Sequence, residues 1–180
     1  MAGAERIFDE YLVVSAKAGD RKAFEILARR WQQKLVVHAW RLTGDLDAAR
    51  EAAQNGWLEI LRGLAQLQDD RAFPAWAFRI VSRCCAKQIG AAVRRRGVAA
   101  ALASEPPAED PSIDIPHDTD RLRAAIRELP PEQRSAVALF YQEDLSVAEV
   151  AVALNVPAGT VKTRLMHARR KLRAALEGEV

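Results

Sequence analysis

The sequence predicts an all-α fold made of two small helical domains joined by an acidic flexible linker. Apolar residues recur at spacings of three and four, which is the period of a helix with one buried face. No run of residues alternates between apolar and polar as a half-buried strand does. Hydrophobic residues make up 49% of the 180 and aromatic residues only 6%. This balance supplies enough apolar material for packed cores and favours helices over sheets.

Residues 97–120 divide the chain into two parts. This segment contains four prolines and six acidic residues but no Lys, Arg or aromatic residue, a composition typical of a linker. Residues 1–96 carry 17 Lys and Arg against 11 Asp and Glu, and residues 121–180 carry 10 against 7. We therefore predict one domain at 1–96 and another at 121–180. Two basic domains indicate a polyanionic partner, although solvated helix surfaces would give the same balance.

Three helices are predicted in the first domain. The first follows the turn at Ala18-Gly19-Asp20 and ends at Thr43-Gly44-Asp45, and the second runs from about Asp47 to Leu64. The third begins near Phe73-Pro74, because proline suits a first helical turn, and ends within Arg94-Arg95-Arg96-Gly97. Their predicted buried stripes are, in order, Phe24, Leu27, Trp31 and Leu35; Ala53, Trp57, Ile60, Leu61 and Leu64; and Phe73, Trp76, Ile80 and Cys84.

The second domain contains the most specific pattern in the chain. After an apolar segment (Leu122, Ile126, Leu129) and a helix through Val137, Phe140 and Tyr141, two helices are predicted at Ser146–Leu154 and Ala158–Ala175. Ser146 and Glu149 have the spacing of a capping box. Asn155 stands at the turn, where a residue must tolerate positive φ. A short helix, a tight turn and a basic second helix form the pattern of a helix-turn-helix.

The second helix of this motif has the charge pattern of a helix that enters a major groove. At about 100° per residue, Val161, Leu165, Ala168 and Leu172 fall in one buried sector. The opposite sector holds Thr160, Thr163, Met166, His167 and Arg170, and the flanks hold Lys162, Arg169 and Arg173 on one side and Arg164 and Lys171 on the other. Short polar side chains suit base edges, while cations on both flanks suit phosphates. The alternative is an exposed basic helix that binds nothing.

A second cationic segment lies in the third predicted helix of the first domain. It contains Arg71, Arg79, Arg83, Lys87, Arg94, Arg95 and Arg96 and no acidic residue, with Phe73, Trp76 and Phe78 between them. Phosphate contacts and base stacking of this kind hold single-stranded nucleic acid. Phe73 and Trp76 also lie on the apolar stripe, which favours core packing over stacking for both.

The second predicted helix of the first domain has a mixed outer face. That face comprises Arg50, Glu51, Gln54, Asn55, Leu58, Glu59 and Arg62. It fits a docking surface for a protein partner or an ordinary solvated face.

No sequence feature points to an enzyme, a metal or a cofactor. We find no nucleophile–base motif, no phosphate-binding glycine loop and no metal-ligand spacing, and His38, His117 and His167 are isolated. The adjacent Cys84 and Cys85 face different sides of a helix, which favours packing over a redox pair. No secretory leader and no apolar stretch of membrane-spanning length is seen, so we expect a cytoplasmic protein without membrane insertion.

These residues resemble the extracytoplasmic-function (ECF) group of bacterial sigma factors. The stretch from Leu129-Pro130-Pro131-Glu132-Gln133-Arg134 to Leu172 resembles their region 4. Ala18-Gly19-Asp20, Gly44-Asp45, Trp57-Leu58, Arg79-Ile80 and Arg94-Arg95-Arg96 lie in the order and spacing of their region 2. The resemblance covers nearly the whole chain outside the linker and the first ten or so residues.

The resemblance implies a promoter-specificity subunit of RNA polymerase. It implies that core RNA polymerase docks on the helix from Asp47 to Leu64, through Asp47, Glu51, Gln54, Asn55, Leu58 and Glu59. It implies that the minus-ten strand is captured by Arg71, Arg79, Arg83, Lys87, Arg94, Arg95 and Arg96, with an extruded base held at the loop from Gln66 to Ala72. It implies that promoter DNA at the minus-thirty-five element is read by Thr160, Lys162, Thr163, Arg164, His167, Arg170 and Lys171. The acidic linker would run toward the polymerase active centre.

Four residues depart from the pattern of this group. Arg50 and Asn55 stand where acids are common, and Arg83 and Lys87 stand where Asn and Asp are usual. Two alternatives therefore remain beside a working sigma factor: a helix-turn-helix regulator that does not engage polymerase, and a sigma mimic that titrates an anti-sigma factor. A mimic would not need a cationic helix suited to DNA, so the pattern at Ala158–Ala175 argues against that alternative. An anti-sigma factor that clamps the two domains is a further expected partner.

Overall fold

The computed structural model describes residues 2–98 and 120–177, with side chains at 4–92 and 121–177. This part of the chain contains helices and no strand. The helices are α1 (Ala2–Lys17), α2 (Arg21–Thr43), α3 (Leu46–Gly63), α4 (Phe73–Val98), α5 (Asp120–Arg127), α6 (Pro131–Tyr141), α7 (Val147–Leu154) and α8 (Ala158–Glu177). Two 3₁₀ turns, Leu64–Gln66 and Asp70–Ala72, lie between α3 and α4. The all-α prediction is confirmed.

The helix boundaries in the first domain follow from local capping. The side chain of Asp20 accepts hydrogen bonds from two backbone amides at the start of α2, and the side chain of Asp45 accepts from the Ala48 amide at the start of α3. Gly44 ends α2 with φ 71°, a left-handed conformation that glycine adopts without a steric penalty. These caps lie at the turns that the sequence predicts.

Most of the predicted core is buried, with one error. Leu27, Trp31, Leu35, Ile60, Phe73 and Ile80 are all at most 5% exposed. Leu61 was predicted on the inner face of its helix, but it is 57% exposed and lies beside Leu58, which is 48% exposed. The prediction failed because, at about 100° per residue, Leu61 falls only about 20° from Gln54 on the outer face of α3.

The first helix, α1, is not apparent from the sequence pattern. It packs against α2 through Leu12 and Val13, which are both buried. Asp9 fixes this contact, since its carboxylate accepts from Arg30 Nε at 2.8 Å and from Trp31 Nε1 at 3.1 Å.

The helix-turn-helix of the second domain forms as predicted. Ser146 and Glu149 make both hydrogen bonds of the capping box. Asn155 ends α7 with φ 54°, in the left-handed region. Val161, Leu165 and Ala168 of α8 are buried against the rest of the domain.

The two domains pack against each other, a contact that the sequence does not reveal. Helices α6 and α7 lie against α2 and α4 of the first domain. Arg134 donates to the carbonyl of Arg41 at 3.3 Å, and Arg41 donates to Gln142 Oε1 at 2.7 Å. The Lys34–Glu143 ion pair spans 3.0 Å. Arg6 of α1 also pairs with Glu149, whose side chain completes the capping box of α7. Most of the predicted linker, residues 99–119, lies outside the described residues.

A buried histidine makes the stability of the first domain depend on pH. His38 is 0% exposed, its Nε2 lies 2.9 Å from Ser82 Oγ, and its ring packs edge-on against Phe78. Burial, with the nearby Arg41 charge, lowers the pKa of His38 to about 3. In the unfolded chain a histidine pKa is about 6.5. His38 therefore adds stability above about pH 6.5, and this contribution is lost as the pH falls toward 3.

We expect the free energy of unfolding to fall by about 1.4 kcal/mol per pH unit below pH 6.5 from His38 alone. Urea unfolding at pH 7.5 and pH 5.0 measures this loss, about 2 kcal/mol over that interval. In His38→Gln, which cannot titrate, the loss is expected to be smaller by that amount. An equal pH dependence in both proteins would contradict the prediction.

Candidate nucleic-acid interface

The cationic face of α8 is open to solvent. Lys162, Thr163, Met166, Arg170 and Lys171 are exposed, and Thr160, Arg164 and His167 are partly exposed. Lys162, Arg164, Arg170 and Lys171 make no hydrogen bond or ion pair with the residues that the structure describes. Arg173, by contrast, lies 3.7 Å from Glu177, one turn further along the same helix. A face with four unengaged cations is suited to phosphate contacts and base readout.

The cations of α4 form an exposed row on the first domain. Arg79, Arg83 and Lys87 follow one another at spacings of four and are all exposed. Arg71 is exposed in the 3₁₀ turn that precedes α4. Arg94, Arg95 and Arg96 lie in the last turns of α4, and their side chains are outside the described set. Lys87 differs from its neighbours in pairing with Glu59 of α3 at 3.2 Å.

The three aromatic residues near this row differ in how far they are exposed to solvent. Phe73 and Phe78 are buried in the core at 1% and 0% exposure, so neither ring offers a face to a base. Trp76 is partly buried and lines a cleft of about 360 Å³ below the loop from Gln66 to Ala72. We name this the base cleft; it is lined by Glu59, Gly63, Gln66, Leu67, Gln68, Trp76, Ile80 and Arg83.

The loop above the base cleft is held by α1. Lys17 Nζ donates to the carbonyl of Leu67 at 2.7 Å and to Asp70 Oδ1 at 2.6 Å. The Asp69 side chain accepts from the Arg71 amide at 3.0 Å, which starts the second 3₁₀ turn. Sequence reasoning missed Lys17, because a lysine at the end of an unrecognised helix carries no local signal.

The outer face of α3 combines polar groups with two exposed leucines. Asp47, Glu51, Gln54, Asn55 and Leu58 all point outward. Arg50 lies 3.5 Å from Asp47 on this same face, so it offsets part of the negative charge. Glu59 instead lies on the side of α3 that faces α4, where it contributes to the base cleft. Leu58 was assigned to this face from the sequence, and the exposed Leu61 beside it adds a second apolar side chain that the assignment lacked.

A groove between α2 and α3 adjoins this face. It has a volume of about 510 Å³ and includes Val36, Leu46, Gln54 and Trp57 among its lining residues. Trp57 Nε1 donates to Gln32 Oε1 at 2.6 Å, which fixes the indole at the rim. The outer face of α3 and this groove form one continuous candidate surface for a protein partner.

The two cysteines are structural. Both are buried, and burial raises the pKa of Cys84, while burial and its neighbour Cys84 raise the pKa of Cys85 to about 12. A thiol that stays protonated at neutral pH is a poor nucleophile and a poor metal ligand. In the described ranges we find no cluster of His, Cys, Asp or Glu that could hold a metal ion, and no helix long and apolar enough to cross a membrane.

Comparison with known proteins relates both domains to one family. Residues 27–95 match the family model "Sigma-70 region 2", and residues 119–172 match "Sigma-70, region 4". The ECF RNA polymerase sigma factor SigM of Mycobacterium tuberculosis strain H37Rv is 33% identical over 164 residues, which cover 91% of this chain and 82% of SigM. The RNA polymerase sigma-H factor of Pseudomonas aeruginosa is 28% identical and covers 94% of both chains.

Solved structures share the same arrangement of helices. The sigma factor RpoE of Bartonella quintana, solved in complex with the anti-sigma factor NepR, matches with a TM-score of 0.73 at 21% identity. The match covers 88% of this chain and 99% of that one. CnrH, solved with the cytosolic domain of CnrY, matches with a TM-score of 0.63 at 22% identity, over 96% and 99% of the two chains.

Proposed function

Because the chain belongs to the ECF RNA polymerase sigma factors, we propose that it binds core RNA polymerase and directs it to a specific set of promoters. The observation that carries this function is the open cationic face of α8 behind a fully formed helix-turn-helix. Both family regions are present in order on one chain. This supports a sigma factor over a DNA-binding regulator that does not engage polymerase.

The two domains have different proposed roles. We assign residues 121–180 to the minus-thirty-five element, residues 1–96 to polymerase and the minus-ten strand, and residues 97–120 to the linker. In the second domain Thr160, Thr163, His167 and Arg170 would meet base edges. Lys162, Arg164 and Lys171 would meet phosphates on the two sides of the groove.

In the first domain, the row of Arg79, Arg83 and Lys87 would hold the backbone of the non-template strand, and the base cleft would hold one extruded base. Stacking on the partly exposed Trp76 and contact with cations are the interactions that single-stranded DNA uses. Extruding a base costs a few kcal/mol, which these contacts would have to offset.

The chain would act without catalytic chemistry of its own. Its part is to supply specificity to the polymerase active centre, in the cytoplasm where polymerase and DNA are found. The solved complex of RpoE with the anti-sigma factor NepR supports an anti-sigma factor as a further partner of this chain.

Arg170 supplies a direct test of minus-thirty-five readout. We expect Arg170→Ala to reduce the preference of the holoenzyme for its own minus-thirty-five sequence over a scrambled one by about 1–3 kcal/mol. Arg173→Ala, which removes the same charge from a residue paired with Glu177, is expected to leave that preference unchanged. Fluorescence anisotropy at fixed salt measures both. Equal weakening on every sequence would mark Arg170 as a phosphate contact instead.

Run-off transcription tests the function as a whole. Purified chain is added to core RNA polymerase, and the mixture transcribes a pool of fragments from the source genome, with core polymerase alone as the control. We expect a stable complex and transcripts that start at a small set of sites. Failure to bind core polymerase, with DNA still bound through the second domain, would refute the proposed function.

A further inference from the structure

The cationic face of α8 includes a large apolar side chain, that of Met166. It is 54% exposed, whereas Val161 and Leu165 of the same helix are buried at 0% and 4%. The chain contains two methionines, and the other, Met1, lies outside the described residues. A thioether in such a position is open to small dissolved oxidants, which convert methionine to its sulfoxide.

Met166 lies between two cations along the helix. Lys162 is one turn before it and Arg170 one turn after it, and side chains four residues apart on a helix are neighbours. Both cations are exposed, and neither makes a hydrogen bond or an ion pair with the residues that the structure describes. An acceptor atom added to Met166 would therefore meet two donors that those residues leave available.

The cysteines do not compete with Met166 for such an oxidant. Cys84 and Cys85 are 4% and 1% exposed, and burial raises the pKa of both thiols, that of Cys85 to about 12. Peroxides react with the thiolate, and both residues stay protonated at neutral pH. Of the sulfur atoms that the structure describes, that of Met166 is the accessible one.

We propose that Met166 is an oxidation site, and that its conversion to the sulfoxide by a hydroperoxide reversibly weakens binding to the minus-thirty-five element. The inference rests on the proposed function and adds a means of switching that binding off. With hydrogen peroxide, the Met166 sulfur attacks one peroxide oxygen and the O–O bond breaks. The sulfur loses two electrons and keeps that oxygen, while the other oxygen takes up the proton and leaves as water.

The sulfoxide oxygen would oppose DNA binding in two ways. It only accepts hydrogen bonds, so beside the acceptors N7, O6 and O4 of the major groove it would be desolvated without a partner. It would also accept from Lys162 or Arg170, which withdraws a donor from the DNA. The unmodified thioether does neither, since its apolar surface suits contact with a thymine methyl group. Oxidation therefore changes the DNA-facing surface, and the exposed position of Met166 leaves the core of the domain intact.

Treatment of the purified chain with hydrogen peroxide tests the inference. Peptide mass spectrometry confirms the sulfoxide at Met166, the peroxide is removed, and the chain is combined with untreated core RNA polymerase. We expect the affinity of this holoenzyme for promoter DNA to fall by at least about tenfold, or about 1.4 kcal/mol, and methionine sulfoxide reductase with dithiothreitol to restore it. Unchanged affinity with Met166 fully oxidised overturns the inference, while promoter-specific transcription by the untreated chain would still uphold the proposed function.

Substitutions then assign the effect to Met166. In Met166→Leu, which keeps an apolar side chain of similar volume without sulfur, the affinity is expected to be the same before and after peroxide. The double variant Met166→Leu, Ile7→Met moves the oxidisable sulfur to a 67% exposed site on α1, and its affinity should not respond either. Met166→Gln, with a polar amide at the site, is expected to bind weakly without any oxidant. An equal loss in the wild-type and Met166→Leu chains would place the damage elsewhere and overturn the inference.

Discussion

Leu58→Asp is expected to abolish binding of the chain to core RNA polymerase, with a loss of affinity of at least about 100-fold. Leu58 and Leu61 are 48% and 57% exposed and lie one turn apart on the outer face of α3, toward its C-terminal end. A carboxylate buried there by a partner would be unpaired, and an unpaired buried charge costs about 3–5 kcal/mol. Central apolar residues of an interface are also where binding energy concentrates.

The weak net charge of this face makes the two leucines more important for the affinity of a protein partner. Asp47 and Glu51 would attract a basic partner, but Arg50 lies 3.5 Å from Asp47, and Asn55 is neutral. The face thus carries less negative charge than its acids alone would give. Since electrostatic attraction mainly steers association, a weakly charged face must depend on apolar contact for its affinity.

Val14→Asp supplies the matched control for this prediction. Val14 is 51% exposed on α1, so the substitution adds the same charge to an equally exposed apolar site elsewhere in the domain. Both variants are expected to keep their thermal stability, because exposed substitutions usually change stability by less than about 0.5 kcal/mol. Surface-immobilised core polymerase and biolayer interferometry measure the affinities. If Leu58→Asp bound as tightly as Val14→Asp, polymerase docking on α3 would be refuted.

Local physics explains which parts of the fold could be predicted from the sequence. The capping box at Ser146, the left-handed turn at Asn155 and the caps at Asp20 and Asp45 each depend on residues within a few positions of one another. Helical period located the buried stripes for the same reason. Leu61 was misplaced because it is apolar, although the same period places it two turns from Gln54 on the outer face of α3.

Long-range contacts explain what the sequence did not show. Lys17 reaches Asp70 across 53 positions, and Lys87 reaches Glu59 across 28. Glu59 was assigned to polymerase docking on its position in α3, and only the packing of α4 shows that its carboxylate lies at the base cleft. The contact of Arg134 with the Arg41 carbonyl spans 93 positions and joins the two domains. No local sequence pattern predicts such a contact.

If the two domains read the minus-ten and minus-thirty-five elements as proposed, their packed arrangement cannot engage both elements at once. The minus-ten and minus-thirty-five elements lie about 25 base pairs apart, or roughly 85 Å at about 3.4 Å per base pair. A compact chain of 180 residues has a radius of gyration of only about 16 Å. The 21 residues from 99 to 119, if extended, span roughly 70 Å. On this proposal the domains must separate, and 21 extended residues would span most of the required distance.

A cleavable crosslink across the domain contact is therefore expected to abolish promoter-directed transcription until it is cleaved. Lys34 and Glu143 form an ion pair of 3.0 Å between the domains, and the Lys34 side chain is 40% exposed. In the double variant Lys34→Cys, Glu143→Cys, a disulfide-containing bis-maleimide would join the two new thiols. Cys84 and Cys85 would not compete, because both are buried and burial raises the pKa of each.

Run-off transcription before and after reduction measures the effect on a single preparation. The crosslinked protein is expected to give no promoter-specific transcript, and dithiothreitol is expected to restore it to the level of the uncrosslinked double variant. Each single cysteine variant, treated in the same way, controls for modification at one site. Full transcription by the crosslinked protein would mean that the two reading surfaces work without separating. Recovery on reduction would identify the contact of α6 and α7 with α2 and α4 as a closed state that must open before the chain can read a promoter, because reduction changes only the tether between those two surfaces.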